Sequence, residues 1–258
     1  MKEIKKQIFP IYFAPGKKLF HIVVKLSDAP GSFSSILDLV SKKVNFIGTN
    51  TYSLGDGTAM FSGFSEALSP KLTAKDLRDL ILESRAAVDA EVFEGKDGLL
   101  VDTFHSGLAV GGDSYVMLRR EGLDHMFNEI TRLLGSGGDT LLFEEGMAFG
   151  RKNAQLMVTY VGLDKVRAQA GTLNRFLVAQ GWGVFEGVGN PQKEPIRVVV
   201  NDCFECATAK GPRRGCNFLR GYLAGAAGVA FEGDVASEET KCTLRGGKAC
   251  EFVLKVSR

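Results

Sequence analysis

Four side chains of metal-ligand type are grouped near the end of this chain: Cys216, Glu239, Cys242 and Cys250. Glu239 and Cys242 are close enough for one bend to present both to the same ion. Arg245-Gly246-Gly247-Lys248 is a tight-turn signal that lets the chain reverse and return Cys250 beside Cys242. Zinc takes thiolate sulfur at about 2.3 Å and carboxylate oxygen at about 2.0–2.2 Å, and four protein ligands make a closed, structural site. The sequence therefore predicts one tetrahedral Zn²⁺ that joins separate segments of the second half of the chain.

A helix is predicted after Cys216, because residues 218–229 form an apolar segment rich in small residues. The whole pattern resembles the 4-vinyl reductase domain, whose signature is a cysteine at the head of a Gly-Tyr-x-x-Gly helix, then Glu-x-x-Cys, then a last cysteine before the final strand. The helix motif here is Gly221-Tyr222-Leu223-Ala224-Gly225, and the resemblance covers residues 101–258. That domain is a ligand-sensing fold of phenol-responsive transcription activators and is related to core subunits of the TRAPP trafficking complex.

A second cysteine pair, Cys203-Phe204-Glu205-Cys206, leaves the ligand set open. Its C-x-x-C spacing is typical of metal or redox sites, so Cys206 is an alternative fourth ligand in place of Glu239. Disulfides between Cys203 and Cys206, or between Cys242 and Cys250, are further alternatives, and cysteines also serve as small buried hydrophobic residues. If the first quartet is right, replacing Cys203 leaves the metal in place.

Composition excludes several classes of protein. A chain of 258 residues suits one large or two ordinary domains, each able to bury its own core. The net charge of +2 is too small to indicate binding to nucleic acid or to an anionic membrane surface. The sequence contains no apolar run of 18 residues and no signal-peptide pattern. We therefore expect a cytoplasmic protein with reduced thiols.

An α+β chain is predicted, with a ferredoxin-like βαββαβ domain at residues 18–100 after an N-terminal extension of residues 1–17. Thr73-Ala74-Lys75-Asp76 is a carboxylate variant of a capping box and predicts the start of the second helix. The predicted elements are strands at 19–26, 44–53, 58–65 and 88–93, and helices at 32–43 and from 74 onwards.

The turn Asp28-Ala29-Pro30-Gly31-Ser32-Phe33 lies between the first strand and helix of that domain. Together with the element order it resembles the ACT regulatory domain, which binds amino acids where two copies pair. The resemblance implies an amino acid at Asp28 and Gly31, and a homodimer. Backbone N–H groups at a helix N-terminus bind a ligand carboxylate, and glycine permits its close approach. The alternative is that Asp28 and Gly31 only cap the helix.

Residues 101–258 are predicted to form an α+β module with the metal site at one end. No G-x-G-x-x-G follows a strand, and no P-loop is present. The predicted elements are a strand at 114–119, helices starting at Leu123, at Asp139 and at Leu163, strands at 183–187 and 196–201 around the turn Gly189-Asn190-Pro191, the helix after Cys216, and a hairpin of 234–244 with 250–255.

The resembled domain encloses an apolar pocket near its metal ligands, which implies a small hydrophobic or aromatic ligand. The candidate lining residues are Phe176, Trp182, Phe185, Phe204 and Tyr222, although aromatic residues at such spacing also form ordinary core. Phenol sensors of the family add polar donors, often a histidine and a tryptophan. Here only His105 and His125 lie in that half of the chain, so phenol itself is not implied.

Three functions remain. The first is a regulatory sensor, which passes its signal to a separate partner because no helix-turn-helix, kinase or ATPase segment is visible. The second is a dimeric adaptor like the trafficking subunits. The third is a reductase of a vinyl group, for which we find no hydride-cofactor signature and no open catalytic metal position.

Overall fold

The structure is a computed structural model, and it describes residues 5–8, 10–110, 112–168, 170–188, 195–206 and 215–257. The chain divides into two compact units, Met1–Val116 and Met117–Arg258. This division falls later than the boundary placed near residue 100 by sequence, because Val101 still pairs with Ile11, Asp102 donates its backbone N–H to Pro10, and residues 108–110 pair with 113–115 within the first unit. The N-terminal extension contributes the strand that contains Ile11.

The first unit contains the predicted βαββαβ order. Its elements are β1 (Ile11–Phe13), β2 (Leu19–Ser27), α1 (Ser32–Val40), β3 (Val44–Ser53), β4 (Thr58–Ala67), α2 (Ala74–Leu82), β5 (Ala87–Glu94), β6 (Leu99–Val101), β7 (Leu108–Val110) and β8 (Asp113–Tyr115). Four strands form an antiparallel sheet in the order β3-β4-β2-β5. Ile36 of α1 and Leu77 and Ile81 of α2 belong to one buried core with Phe20 and Phe61 of the sheet. Apolar residues at helical and alternating spacing thus face each other across this core.

The N-terminus of α2 has the predicted capping box. Thr73 Oγ1 accepts a hydrogen bond from the backbone N–H of Asp76 at 3.1 Å, and Asp76 Oδ2 accepts one from the N–H of Thr73 at 3.0 Å. Hydrogen bonds from Thr73 also lower the pKa of Asp76. Two backbone donors that a helix end leaves unpaired are therefore satisfied, which explains why α2 begins where it does.

The turn before α1 is organised differently. Gly31 is the N-cap with φ 88°, a left-handed conformation that favours glycine, and no side chain caps this helix. Asp28 Oδ2 instead accepts a hydrogen bond from Ser53 Oγ at 2.5 Å. Asp28 therefore joins the turn to the end of β3 and does not cap α1.

The second unit is α+β. Its elements are α3 (Arg120–Leu134), α4 (Ser136–Val161), α5 (Leu163–Ala168), α6 (Ala170–Ala179), β9 (Val184–Val188), β10 (Ile196–Asn201), α7 (Asn217–Phe231), β11 (Asp234–Lys241), a 3-10 turn (Thr243–Arg245) and β12 (Cys250–Ser257). The strands form an antiparallel sheet in the order β11-β12-β10-β9. None of the helices in the described ranges is long and apolar enough to cross a bilayer.

Three elements predicted within residues 101–258 differ in extent from the structure or include residues outside the described ranges. The helix predicted from Leu163 corresponds to α5 and α6, and residue 169 between them lies outside the described residues. The strand predicted at 114–119 is wrong in its extent, because pairing with β7 ends at Tyr115. The predicted turn at 189–191 lies outside the described residues.

Helices α4 and α7 pack through glycines, with their backbones in direct contact. A Cβ atom added to any of four glycines would lie 1.9–2.1 Å from a carbonyl oxygen of the other helix. The contacts are Gly146 with Phe218, Gly150 with Tyr222, Gly221 with Phe143, and Gly225 with Met147. The two glycines of the Gly-Tyr-x-x-Gly motif are therefore half of a reciprocal packing surface that fixes the position of α7.

Candidate metal centre

All five cysteines of the chain converge in the second unit. Cys203 and Cys206 lie in the loop after β10, Cys216 is the N-cap of α7, Cys242 follows β11, and Cys250 begins β12. All five are buried and none forms a disulfide. The disulfide alternatives are therefore wrong for this structure, and four segments that are distant in sequence bring their thiols to one place.

Three of the thiols have the spacing of a tetrahedral metal site. The Sγ atom of Cys216 is 3.7 Å from that of Cys250 and 3.8 Å from that of Cys242, and the Sγ atoms of Cys242 and Cys250 are 3.9 Å apart. A tetrahedral zinc ion with Zn–S bonds of about 2.3 Å requires sulfur–sulfur distances of about 3.8 Å. The three atoms therefore form one face of such a tetrahedron.

Glu239, the fourth ligand that the sequence predicts, lies close to these three thiols. One donor atom from each member of the quartet lies within 4.8 Å of the others. Both carboxylate oxygens of Glu239 accept hydrogen bonds from the backbone N–H of Cys216 at 3.2 Å, and Arg245 Nη2 is 3.4 Å from Oε2. A side chain at Gly215 would collide with that carboxylate at 2.5 Å. Burial raises the pKa of Glu239, and these polar contacts oppose that effect.

Cys206 and Cys203 also reach the site. Cys206 Sγ is 3.2 Å from Cys250 Sγ and 2.9 Å from Thr243 Oγ1. Cys203 Sγ is 3.7 Å from Cys216 Sγ, and the two form a second four-thiol group with Cys206 and Cys250. The structure thus brings the alternative ligand Cys206 to the site, and it also brings Cys203, which the sequence analysis kept outside the ligand set.

The neighbouring thiols shift one another's pKa values in opposite directions. Hydrogen bonding with neighbouring thiols, Cys203 above all, lowers the pKa of Cys250 to about 4. Hydrogen bonding with Cys203, together with burial, raises the pKa of Cys206 to about 12. The lowered pKa of Cys250 favours its thiolate form, which is the form that binds metal ions.

Glu205 holds the Cys203–Cys206 loop against the first turn of α7, a role that the sequence analysis missed. Glu205 is 1% exposed, and its carboxylate accepts hydrogen bonds from the backbone N–H groups of Phe218 at 3.1 Å and Leu219 at 2.7 Å. A carboxylate at a helix N-terminus pairs with otherwise unsatisfied donors and with the positive end of the helix dipole. Glu205 therefore fixes the position of the C-x-x-C loop relative to Cys216 at the start of α7.

Replacing Glu205 with alanine is expected to lower the free energy of unfolding of the second unit by about 1–2 kcal/mol, the typical value of a lost helix cap. Urea denaturation followed by circular dichroism measures this. Glu238→Ala, on an exposed residue of β11, is the matched control and should change stability by less than about 0.5 kcal/mol. Equal effects of the two substitutions would refute the capping role.

An aromatic cluster lies beside the thiols. The ring centroid of Trp182 is 4.8 Å from those of Phe204 and Tyr222, three of the predicted lining residues. Phe149 and Phe218 complete the cluster at 6.0–6.2 Å from Trp182, and sequence reasoning missed both. Tyr222 is fully buried, whereas Phe149 is 45% exposed, so the cluster extends from the core to the surface.

The other predicted lining residues and the histidines occupy other elements. Phe185 is buried in the core cluster on β9, and Phe176 is half-buried on α6. His125 is exposed on α3. His105 belongs to the first unit.

Comparison with known proteins agrees with the sequence pattern. Residues 196–256 match the family model of the 4-vinyl reductase domain, which confirms the resemblance to that domain for this segment. A search of curated proteins gave no match.

Among solved structures, the phenol-responsive sensory domain of the transcription activator PoxR with phenol is similar at 12% identity and TM-score 0.47, covering 88% of this chain and 91% of that one. A trafficking protein particle complex subunit 3 from Naegleria fowleri, covalently bound to palmitic acid, is similar at 15% identity and TM-score 0.44, covering 54% and 95%. A vinyl-4-reductase family protein from Methanocaldococcus jannaschii is similar at 16% identity and TM-score 0.41, covering 56% and 85%.

Proposed function

We propose that this chain is a small-molecule-binding regulatory protein whose second unit is stabilised by one structural Zn²⁺. The observation that carries the proposal is the triangle of Sγ atoms of Cys216, Cys242 and Cys250 at tetrahedral spacing, within the segment that matches the 4-vinyl reductase domain. Glu239 is the fourth ligand, and Cys206 is the alternative. Four protein ligands leave no open position, so the ion has a structural role and not a catalytic one.

The fourth ligand can be identified by substitution. Glu239→Gln is expected to weaken zinc binding by more than the roughly 10–100-fold that loss of an outer-shell partner costs, because a ligand itself is lost. Cys206→Ser and Cys203→Ser are the matched comparisons and should retain one tightly held ion. Competition with a chromophoric chelator measures each affinity. Retention by Glu239→Gln together with loss in Cys206→Ser would make Cys206 the fourth ligand instead.

The ligand site of the second unit is the aromatic cluster of Phe149, Trp182, Phe204, Phe218 and Tyr222. Its partly exposed rings offer a planar, apolar surface for a small hydrophobic or aromatic ligand. The cluster includes Phe218 and Tyr222 of α7, the helix that begins at the metal ligand Cys216. A ligand that favours one packing of these rings would therefore act on the helix that the ion holds, and so change the surface offered to a partner.

Trp182 is the only tryptophan of the chain, so its fluorescence reports on this cluster directly. Naphthalene, a planar apolar probe, is expected to quench it with saturation. Phe149→Ala should weaken binding by about 2–10-fold, since an aromatic contact is worth about 0.5–1.5 kcal/mol. Phe13→Ala, an exposed phenylalanine of the first unit, should leave the titration unchanged. Linear, unsaturable quenching would refute the ligand site.

For the first unit we propose a ferredoxin-like, ACT-like regulatory domain that pairs as a homodimer. The strand order β3-β4-β2-β5, with α1 connecting β2 to β3 and α2 connecting β4 to β5, supports this fold. Gly31 leaves open space at the N-terminus of α1, where an amino acid carboxylate would bind beside Asp28. The regulatory signal of the chain then passes to a separate partner protein.

A dimeric adaptor is the second candidate function. It is favoured by the contact between the aromatic rings themselves, with centroids as close as 4.8 Å, because side chains already fill that space. Native mass spectrometry of the full chain separates the candidates. A retained small molecule supports the sensor, and dimers without one support the adaptor.

A further inference from the structure

Two histidines and an aspartate meet in the first unit. His21 on β2 is fully buried, and Asp102 and His105 follow β6. His21 Nδ1 is 3.7 Å from Asp102 Oδ1, and His105 Nδ1 is 2.7 Å from Asp102 Oδ2. One nitrogen from each ring and one carboxylate oxygen all lie within 4.8 Å of one another.

His21 is satisfied on one side only. Its Nε2 is 2.8 Å from Ser62 Oγ, whereas Nδ1 is buried without a hydrogen-bond partner. If Nε2 carries the proton, the lone pair of Nδ1 faces the Asp102 carboxylate with no donor between them. If Nδ1 carries the proton, 3.7 Å is too long for a hydrogen bond to that carboxylate. Either tautomer leaves a buried polar atom unsatisfied, which is costly in a folded protein.

A cation between these groups removes the conflict. With Nε2 paired with Ser62 Oγ, the buried Nδ1 of His21 can offer its lone pair to an ion. Imidazole nitrogen and carboxylate oxygen, here from His21 and Asp102, are ligands that divalent transition metals bind in proteins.

We propose that His21 Nδ1, Asp102 and His105 form a second metal site, for a divalent transition-metal ion of the zinc class. Metal bonds to imidazole nitrogen and carboxylate oxygen are about 2.0–2.2 Å long, so both observed donor distances lie within the span of a single ion. Ser62 Oγ accepts a hydrogen bond from His21 Nε2–H and so fixes the ring, as partners of metal-bound histidines do. Phe64 and Phe93 flank the His21 ring and shield it from water.

Three protein ligands leave a coordination position free. The side chains of Asp102 and His105 are 19% and 25% exposed, so an ion can enter from their side. His105 also lines a surface cleft of about 490 Å³, together with Leu108 and Tyr115. The site is therefore open, in contrast to the closed thiolate centre, and its free position is suited to water or a small anionic or nitrogenous ligand.

Nitrogen-15 NMR of the imidazole rings tests the proposal in the full chain. The protein has three histidines, and His125, exposed on α3, is an internal control. On adding Zn²⁺ to chelator-treated protein, one ring nitrogen each of His21 and His105 should move to the position of metal-bound nitrogen, while His125 keeps its signals. Unchanged signals of His21 and His105 at saturating Zn²⁺ would overturn the proposal, whatever happens at the cysteines.

Substitutions provide a second readout. His105→Ala removes a partly exposed ligand and should lower the zinc count by one ion per chain, measured by native mass spectrometry, while His125→Ala keeps the wild-type count. Ser62→Ala should weaken this site by about 10–100-fold. The thiolate site is independent of these residues, so failure of one site leaves the test of the other intact. Equal zinc counts in His105→Ala and wild type would also overturn the proposal.

Discussion

Gly225→Ala is expected to destabilise the second unit by about 3 kcal/mol or more. The added Cβ would lie 2.1 Å from the carbonyl oxygen of Met147 on α4, and backbone atoms cannot rotate away as a side chain does. The two helices must then separate, which opens gaps along their whole contact, so the cost lies at or above the upper end of about 1–3 kcal/mol for overpacked cores. Chemical denaturation of the full chain measures this effect.

Gly137→Ala is the matched control, because Gly137 lies in the first turn of α4 and a Cβ there would meet open space. Alanine favours the helix over glycine by up to about 1 kcal/mol, so this variant should be as stable as the wild type or slightly more stable. A Gly225→Ala protein that is equally stable would contradict the close contact of α4 and α7.

Cys216→Ser is expected to remove the thiolate-bound zinc ion and to cause a large loss of thermal stability. Cys216 belongs to both four-ligand groups of the second unit, so its loss damages whichever of the two groups binds the ion. Apparent binding free energies of structural zinc are about 10–16 kcal/mol in small zinc-binding peptides, and that energy contributes to folding. Differential scanning calorimetry with and without chelator measures the effect.

The chelator itself provides the control for this experiment. It should lower the melting temperature of the wild type and of Cys203→Ser, but it should have a much smaller effect on Cys216→Ser, which has no thiolate-bound ion to lose. A wild-type melting temperature that does not respond to chelator, together with a zinc count unchanged by Cys216→Ser, would refute a structural ion at this site.

The sequence was informative where spacing along the chain determines structure. Cys216, Glu239, Cys242 and Cys250 lie on one hairpin and one helix start, so their grouping was predictable from the turn signal at residues 245–248 and the apolar segment after Cys216. Cys203 and Cys206 lie in the loop after β10, and neither signal places them. The βαββαβ order and the capping box at Thr73 followed from periodicity and from a four-residue motif for the same reason.

Features that depend on contacts between distant segments could not be predicted in this way. The reciprocal glycine contacts need both α4 and α7, although Gly146 and Gly150 repeat the four-residue spacing of Gly221 and Gly225 and could have signalled the pairing. Phe149 joins the aromatic cluster only because of that contact. His21 and Asp102 are brought together because the chain returns beside β2 after β6, and no local pattern records that return.

Cadmium-113 NMR of the full chain, after replacement of the bound metal by ¹¹³Cd²⁺, reports the number of sulfur ligands of the ion through its chemical shift. We expect one signal in the region of sulfur-rich sites, with three thiolates if Glu239 is the fourth ligand and four if Cys206 is, and the loss of this signal in Cys216→Ser. Absence of any sulfur-ligated signal at full cadmium loading would contradict the claim that one ion joins Cys216, Cys242 and Cys250.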